Sequence, residues 1–221
     1  MPKDTRPAID ADTQDRHILD IGFSMPIHTP GDAELLRAEI AAAAARMIAE
    51  DGVNYATAKR KAARLILGQQ KVRGDILPDN AQVEEQVREY QTLFLGDEQP
   101  ERLRHLRLLA AEMMENLAEF SPWLTGAVLN GTAGKHSDIH LQLFADSPKD
   151  VAVYLLNANV NYEVSESSHF RYPDRTVETL SFMWKNEGVH LTLYDRDDLR
   201  AGRKQVDRTD LAGVHALLAE G

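Results

Sequence analysis

The apolar positions of this chain recur with two different periods, and the change falls near residue 122. Upstream the period is helical. Thr29-Pro30 offers a cap followed by a proline suited to the first helical position. Leu36, Ile40, Ala44 and Met47 then form a stripe that Asp51-Gly52 ends, the glycine supplying a left-handed cap. A second helix is predicted from Asn54, an N-cap residue, to Gly68. A third covers about residues 80–95, with Val83, Val87, Tyr90 and Phe94 on one face. A fourth starts near Pro100, and Leu103, Leu106, Ala110, Met113, Leu117 and Phe120 carry it to Ser121-Pro122. Each stripe has to be covered by another helix or by a sheet.

Downstream the period shortens to two. Trp123-Leu124-Thr125 is a short apolar segment, followed by a glycine-bearing loop. Ile139, Leu141 and Leu143 alternate with Asp138, His140 and Gln142, the pattern of a strand buried on one side. Ser147-Pro148-Lys149-Asp150 has the order of a capped helix start, with Asp150 placed as in a capping box, and that helix should end by about Asn157. Tyr162 to Glu166 is expected to be a strand. Thr176–Trp184 and Val189–Tyr194 are expected to form a hairpin around Lys185-Asn186-Glu187-Gly188, and a short helix from about Thr209 closes the chain. The layout is α+β: a polar arm over residues 1–30, a helical region over 31–99, and a mixed sheet with flanking helices over 100–221.

With 221 residues, 43% hydrophobic and 27% charged, the chain has material for a packed core. It contains no cysteine, which excludes a disulfide framework, a thiol nucleophile and a thiolate metal site, and which fits a reducing compartment. No apolar run approaches the ~20 residues that cross a bilayer, and residues 1–17 lack the apolar stretch of a secretory signal. The expectation is a cytoplasmic protein with no membrane partner. The net charge of −10 disfavours general binding of nucleic acid. One block runs against it. Lys59, Arg60, Lys61, Arg64, Lys71 and Arg73 have no acid among them, as in an RNA-binding face, although Tyr55 alone is nearby for base stacking. A solvated helix face is the plainer account of such a run.

The most specific text is Gly126-Ala127-Val128-Leu129-Asn130-Gly131-Thr132-Ala133-Gly134-Lys135-His136-Ser137-Asp138-Ile139-His140-Leu141. Glycines let backbone N–H groups approach phosphates closely, and side chains one residue apart on a strand share a face. This stretch resembles, without a gap, the signature of the DNA polymerase beta-like nucleotidyltransferase superfamily, in particular its minimal-nucleotidyltransferase members. The resemblance covers roughly residues 100–199. It implies that Gly126, Ala127, Asn130, Gly131 and Ser137 cradle a nucleoside triphosphate. It further implies that Asp138 is the catalytic residue, and that Asp138, His140 and a third residue on a later strand hold metal. By position that third residue is His190. The activity implied is transfer of a nucleoside monophosphate from a triphosphate to an acceptor, which could be a small molecule, RNA or protein.

The metal positions are degenerate. Ala127 stands where the family has serine, and histidines stand at two of three carboxylate positions. Three carboxylates would offset most of the charge of two divalent ions, whereas Asp138, His140 and His190 together supply one negative charge. Magnesium prefers oxygen ligands and imidazole suits softer ions, so one divalent ion (Mg, Mn or Zn) is the cofactor this set allows. The alternative is a nucleotide-binding or protein-interaction module of the same fold without catalysis. His136, Asp138 and His140 also form a His-x-Asp-x-His triplet, with His136 on the loop. Gly131-Thr132-Ala133-Gly134-Lys135 resembles the phosphate loop of Mur ligases. Such a loop needs a hydroxyl directly after the lysine and a helix after that, and here His136 and a strand follow. His17, His28, His105, His169 and His215 show no ligand spacing, no serine sits in a nucleophile elbow, and Asp195-Arg196-Asp197-Asp198 reads as a solvated turn.

Overall fold

The computed structural model describes residues 30–68, 76–96, 98–172, 174–201 and 207–220. The polar arm predicted for the N-terminus, and Lys71 and Arg73 of the basic block, lie outside the described residues. The fold is α+β, with a helical N-terminal half followed by a five-stranded mixed sheet and its flanking helices.

Helices α1 (Pro30–Asp51), α2 (Tyr55–Leu67) and α3 (Asn80–Phe94) form the helical half. Asn54 caps α2 by accepting the Thr57 N–H, and Asp79 with Gln82 forms a full capping box on α3. Their core is built from Ile40, Ala41, Ala44, Ala45, Ala58, Ala62, Ala63, Ile76, Val83 and Val87. So many alanines bring the helix axes close. On α3 the buried stripe runs Val83, Val87, Gln91, and Phe94 is 67% exposed. The expected Tyr90–Phe94 face therefore turns outward, because the stripe advances by four residues at each step and ends on a polar side chain.

The second half begins with α4 (Glu98–Asn116), whose apolar face lies beneath a sheet of β1 (Trp123–Thr125), β2 (Ile139–Ala145), β3 (Glu163–Ser168), β4 (Thr176–Trp184) and β5 (Glu187–Asp195). The spatial order is β1-β2-β5-β4-β3, with β2 and β5 parallel and all other pairs antiparallel. Helices α5 (Gly126–Asn130), α6 (Pro148–Asn157), α7 (Arg196–Ala201) and α8 (Leu211–Glu220) complete it. Three expectations are corrected here. The segment after β1 opens as a helical turn, α5, rather than a loop. Ser147 precedes α6 without a side-chain cap bond, only its carbonyl accepting the Asp150 N–H. Residues 196–201 are helical, and the aspartates of that segment lie in the first turn, where they complement the helix dipole.

Leu124, Leu141, Leu191 and Leu180 pair across neighbouring strands and are almost fully buried, so one sheet face is a leucine row. Against it pack Leu106, Ala110 and Met113 of α4, Leu117 just beyond it, Val151 and Leu155 of α6, and Val214 of α8; the fourth helix ends at Asn116 rather than at Ser121-Pro122, and a 3-10 turn over Ala118–Phe120 follows. The opposite face is polar. Lys185 and Asn186 both have positive φ (51° and 68°), forming the two-residue turn that matches hairpin twist and sets the β4–β5 register. Among the described residues no helix is long and apolar enough to cross a membrane.

The two halves meet at the segment from Gly131 to Lys135. Gln91 is 4% exposed, and its Nε2 donates to the Thr132 carbonyl at 2.8 Å. Gln91→Leu leaves that carbonyl unpaired in a buried place, a loss of about 1–3 kcal/mol. Denaturant unfolding should show it as a lower midpoint; an unchanged midpoint would mean that the joint contributes nothing.

Candidate functional site

Strand register assembles the site. Thr125 pairs with His140, His140 with His190, His190 with Ser181, and Ser181 with Glu163. Paired residues share a face, so these five side chains form a transverse row across all five strands on the polar side of the sheet. Asp138 immediately precedes β2 at the same end. A second row, Trp123, Gln142, Thr192, Thr179 and Ser165, lies beside the first. Here Thr179 Oγ1 lies 3.3 Å from Thr192 Oγ1 and 2.9 Å from Ser167 Oγ. Phe144 and Tyr194 come next and are roofed by His169, Phe170 and the Arg208 guanidinium. One end of the polar face is therefore closed by aromatic packing. The end bearing Asp138, His190 and Ser181 opens into a hollow of about 740 Å³, which Asn159, Asn161, Tyr162, Glu163 and Met183 also line.

Within the row, His190 uses both ring nitrogens. Its Nε2 lies 3.1 Å from Asp138 Oδ2 and its Nδ1 lies 2.8 Å from Ser181 Oγ. An ionised carboxylate only accepts, so Nε2 carries a proton and Nδ1 of the neutral ring accepts from the Ser181 hydroxyl. The His140 ring stacks on His190 with centroids 4.6 Å apart and planes 15° from parallel. Burial, and then repulsion from His190, pushes the His140 imidazole down to about 4, against an attraction from Asp138. Its outer edge is open to water, which softens the burial penalty; the direction, a ring neutral at pH 7, follows either way.

Asp138, His140 and His190, expected together from sequence, are thus brought together, but as partners of one another. Asp138 and His190 share a hydrogen bond, and His140 presents its ring face rather than a nitrogen to His190. Among the described residues no group of three or more histidines and acids stands in metal-holding geometry. One carboxylate with two imidazoles does not fit a pair of hard divalent ions, which need several oxygen ligands. His136 is apart from the row. A Cβ on Gly52 would lie 2.5 Å from its Cβ, so it packs against the end of α1.

The residues expected to cradle phosphate divide. Gly126 (φ 72°) lies beside His140, a Cβ there falling 3.9 Å from the His140 ring. The others are engaged in the turn itself. The Ala127 carbonyl accepts the N–H groups of Gly131, Thr132 and Ala133. Asn130 Oδ1 accepts from the Thr132 N–H and hydroxyl, and Ser137 Oγ accepts from the Gly134 N–H. The turn's carbonyls face the helices. Gln99 Nε2 donates to Gly131 and Ala133, Arg102 to Gly134 and Lys135, and Arg107 to Val128 and Leu129. Tyr55, the stacking candidate of the basic region, points its hydroxyl at Thr132 Oγ1, 3.4 Å away. Lys59 reaches Asn80 and the Pro78 carbonyl, and Arg60 folds back on Ala56 and Thr57, leaving Lys61 and Arg64 exposed.

Arg102 also forms a two-pronged salt bridge with Glu187 at the start of β5, and the guanidinium holds that carboxyl below its usual range. This ties α4 to the backbone next to Gly188, over which Asp138 lies. Ser181 and His169 escaped sequence reasoning. Ser181 has no spacing signal, although a turn fixed at Lys185-Asn186 places it opposite His190 by counting along the hairpin. His169, read as ordinary, is 5% exposed, accepts the N–H groups of Arg171 and Tyr172 at Nδ1, and lies with Nε2 3.2 Å from Asp198, close but poorly aligned. No family model, curated protein or solved structure matches this chain.

Two outcomes follow from the packing. A Cβ on Gly188 would lie 2.3 Å from Asp138 Oδ1 and 2.6 Å from its Cγ, so Gly188→Ala must swing the carboxylate aside. A side-chain end moves and not backbone, so the cost to stability should stay near about 1 kcal/mol. A crystal structure of the variant should show Asp138 out of hydrogen-bond reach of His190; a preserved pair contradicts the packing account. The second outcome concerns pH. Between pH 6.5, the ordinary imidazole value, and about 4, the unfolded chain binds a proton that folded His140 refuses. Stability from this group is therefore complete above the upper value and falls as pH drops toward the lower one. His140→Gln should flatten that part of the stability–pH curve measured by urea unfolding, and an unaltered slope would count against it.

Proposed function

We propose that this chain is a nucleotidyltransferase-like module with degenerate metal positions. In this reading it binds a nucleotide through base and ribose and does not run two-metal transfer of a nucleoside monophosphate. The observation that carries the reading is the pairing of His190 with Asp138, which puts two of the three would-be metal ligands into a bond with each other. Three further features support it. The order strand, glycine turn, strand, with β5 parallel to β2, sets Gly126, Asp138, His140 and His190 at one sheet end. The N–H groups of residues 131–134 and 137 are used inside the turn, which leaves few to meet a triphosphate. Asp138 and Glu163 make the hollow acidic, so they repel phosphate and suit ligand donors such as ribose hydroxyls or an exocyclic amine. The cysteine-free composition supports the cytoplasm as the place of action.

Calorimetry with ATP, with and without Mg²⁺, together with a pyrophosphate-release assay in Mg²⁺, Mn²⁺ or Zn²⁺, tests this. Binding should be indifferent to Mg²⁺ and weaken about tenfold in Asp138→Asn, the effect of losing one charge-assisted hydrogen bond of about 1.4 kcal/mol. No pyrophosphate should appear. Metal-dependent release abolished by Asp138→Asn would establish the transferase reading in its place, and absence of any ATP binding would remove the nucleotide from the account.

A further inference from the structure

We propose that Ser181, His190 and Asp138 form a metal-free relay for acyl transfer, with Ser181 as nucleophile toward small neutral or cationic carboxylic esters held in the adjoining hollow. The proposal stands on side-chain geometry alone and does not require nucleotide binding. Three groups lie in series. The Ser181 hydroxyl is 2.8 Å from His190 Nδ1, and His190 Nε2 is 3.1 Å from Asp138 Oδ2. Nucleophile, base and orienting carboxylate within hydrogen-bond reach are what activate a serine, and such sets are recognised by geometry and role, not by sequence order or surrounding motif.

The relay is rigidly placed and reachable. Ser181 and His190 face each other across the β4–β5 pair, in a register fixed by the two-residue turn at Lys185-Asn186. The His140 ring stacks on His190 with centroids 4.6 Å apart and planes 15° from parallel, which holds the plane of His190. The side chains of His190 and Asp138 are 28% and 45% exposed, and all three relay residues line the hollow. On the same face Ser167 and Thr192 both contact the Thr179 hydroxyl, and Thr125 donates to the His140 carbonyl. The lining sets the substrate class. Asp138 and Glu163 repel an anionic acyl group, Tyr162, Phe182 and Met183 offer apolar surface, and Asn159 and Asn161 are the side-chain amides available to a developing oxyanion.

The chemistry balances without a metal or a redox partner. Ser181 Oγ bonds to the ester carbonyl carbon as its proton passes to His190 Nδ1. The charged imidazole is stabilised through Nε2 by Asp138, a positioning residue. The carbon–alkoxy bond breaks, and the alcohol leaves with the proton from Nδ1. Water, deprotonated by His190, then attacks the acyl-serine, releasing the carboxylic acid and restoring the hydroxyl.

An alkyl fluorophosphonate, which forms a covalent bond with activated serines, tests the nucleophile on the full chain. Intact-mass and peptide mapping should place the label on Ser181, the label should vanish in Ser181→Ala, and its rate should fall on the order of 10²-fold in His190→Gln. With both variants confirmed folded by circular dichroism, an unlabelled Ser181, or a rate indifferent to His190→Gln, overturns the proposal. A second measurement uses the absence of cysteine. Ser181→Cys introduces a unique thiol. Iodoacetamide should alkylate it about tenfold faster than in the Ser181→Cys, His190→Gln double variant, as expected of a thiol with an adjacent base. Equal rates would also overturn the relay. Neither readout involves ATP, so failure here is distinguishable from failure of the nucleotide reading.

Discussion

An imidazole has two nitrogens, and in this protein His190 commits both of them. That constraint organises the polar face of the sheet. Because Nε2 is held by Asp138, the neighbouring carboxylate and imidazole cannot both turn their donors to a shared cation. Because Nδ1 is held against Ser181, a strand serine that would otherwise be inert faces a base. The stacked ring of His140 completes the arrangement by crowding His190 on the β2 side and remaining uncharged. On the proposed reading, histidines at two of the three positions that the resemblance gives to metal-holding carboxylates favour movement of a proton over electrostatic clamping of phosphate.

The same economy governs the turn between β1 and β2. Its glycines invite a phosphate reading, yet a backbone carbonyl or N–H removed from water needs a partner whatever else it does. Here the partners are supplied from within and from the helices. Ala127 gathers three N–H groups, while Gln91, Gln99, Arg102 and Arg107 supply donors to the carbonyls. The turn is a joint. It couples α3 and α4 to the strand that carries His140, and the Arg102–Glu187 bridge extends that coupling to the strand that carries His190. Helices α3 and α4 thereby brace the site's backbone.

Periodicity made much of this legible. The stripe from Leu106 through Met113 of α4 to Leu117 and Phe120 beyond its end, and the alternation from Ile139 to Leu143, are strong because both lie on faces covered by the core, where burial and pattern coincide. Legibility failed where burial and polarity part company. Gln91 is polar and buried, and Phe94 is apolar and exposed, so polarity alone points the α3 face one residue too far round. Gly126 conceals the helical turn α5, and the acids at Asp197 and Asp198 conceal α7. At the site, Asp138, His140 and His190 were readable as neighbours because the resemblance places the third position on a later strand and the alternation of Val189, Leu191 and Leu193 turns His190 to the polar side; the structure adds that β2 and β5 run parallel. Ser181 was not, since its contribution depends on hairpin register, and its spacing from His190 resembles no motif. The hydrogen bonds that occupy the turn could not be read either, because they depend on side chains from α3 and α4 that are distant in sequence.

The account depends most directly on the state of the His190 ring. Long-range nitrogen–proton NMR of the histidine side chains, assigned by comparison with His190→Gln, reports which ring nitrogen bears the proton. The structure predicts a single tautomer of the neutral ring, protonated at Nε2 and with a hydrogen-bonded, proton-free Nδ1, shifting when Ser181 is replaced by alanine. A ring protonated at Nδ1, or a mixture of tautomers indifferent to Ser181→Ala, would contradict it.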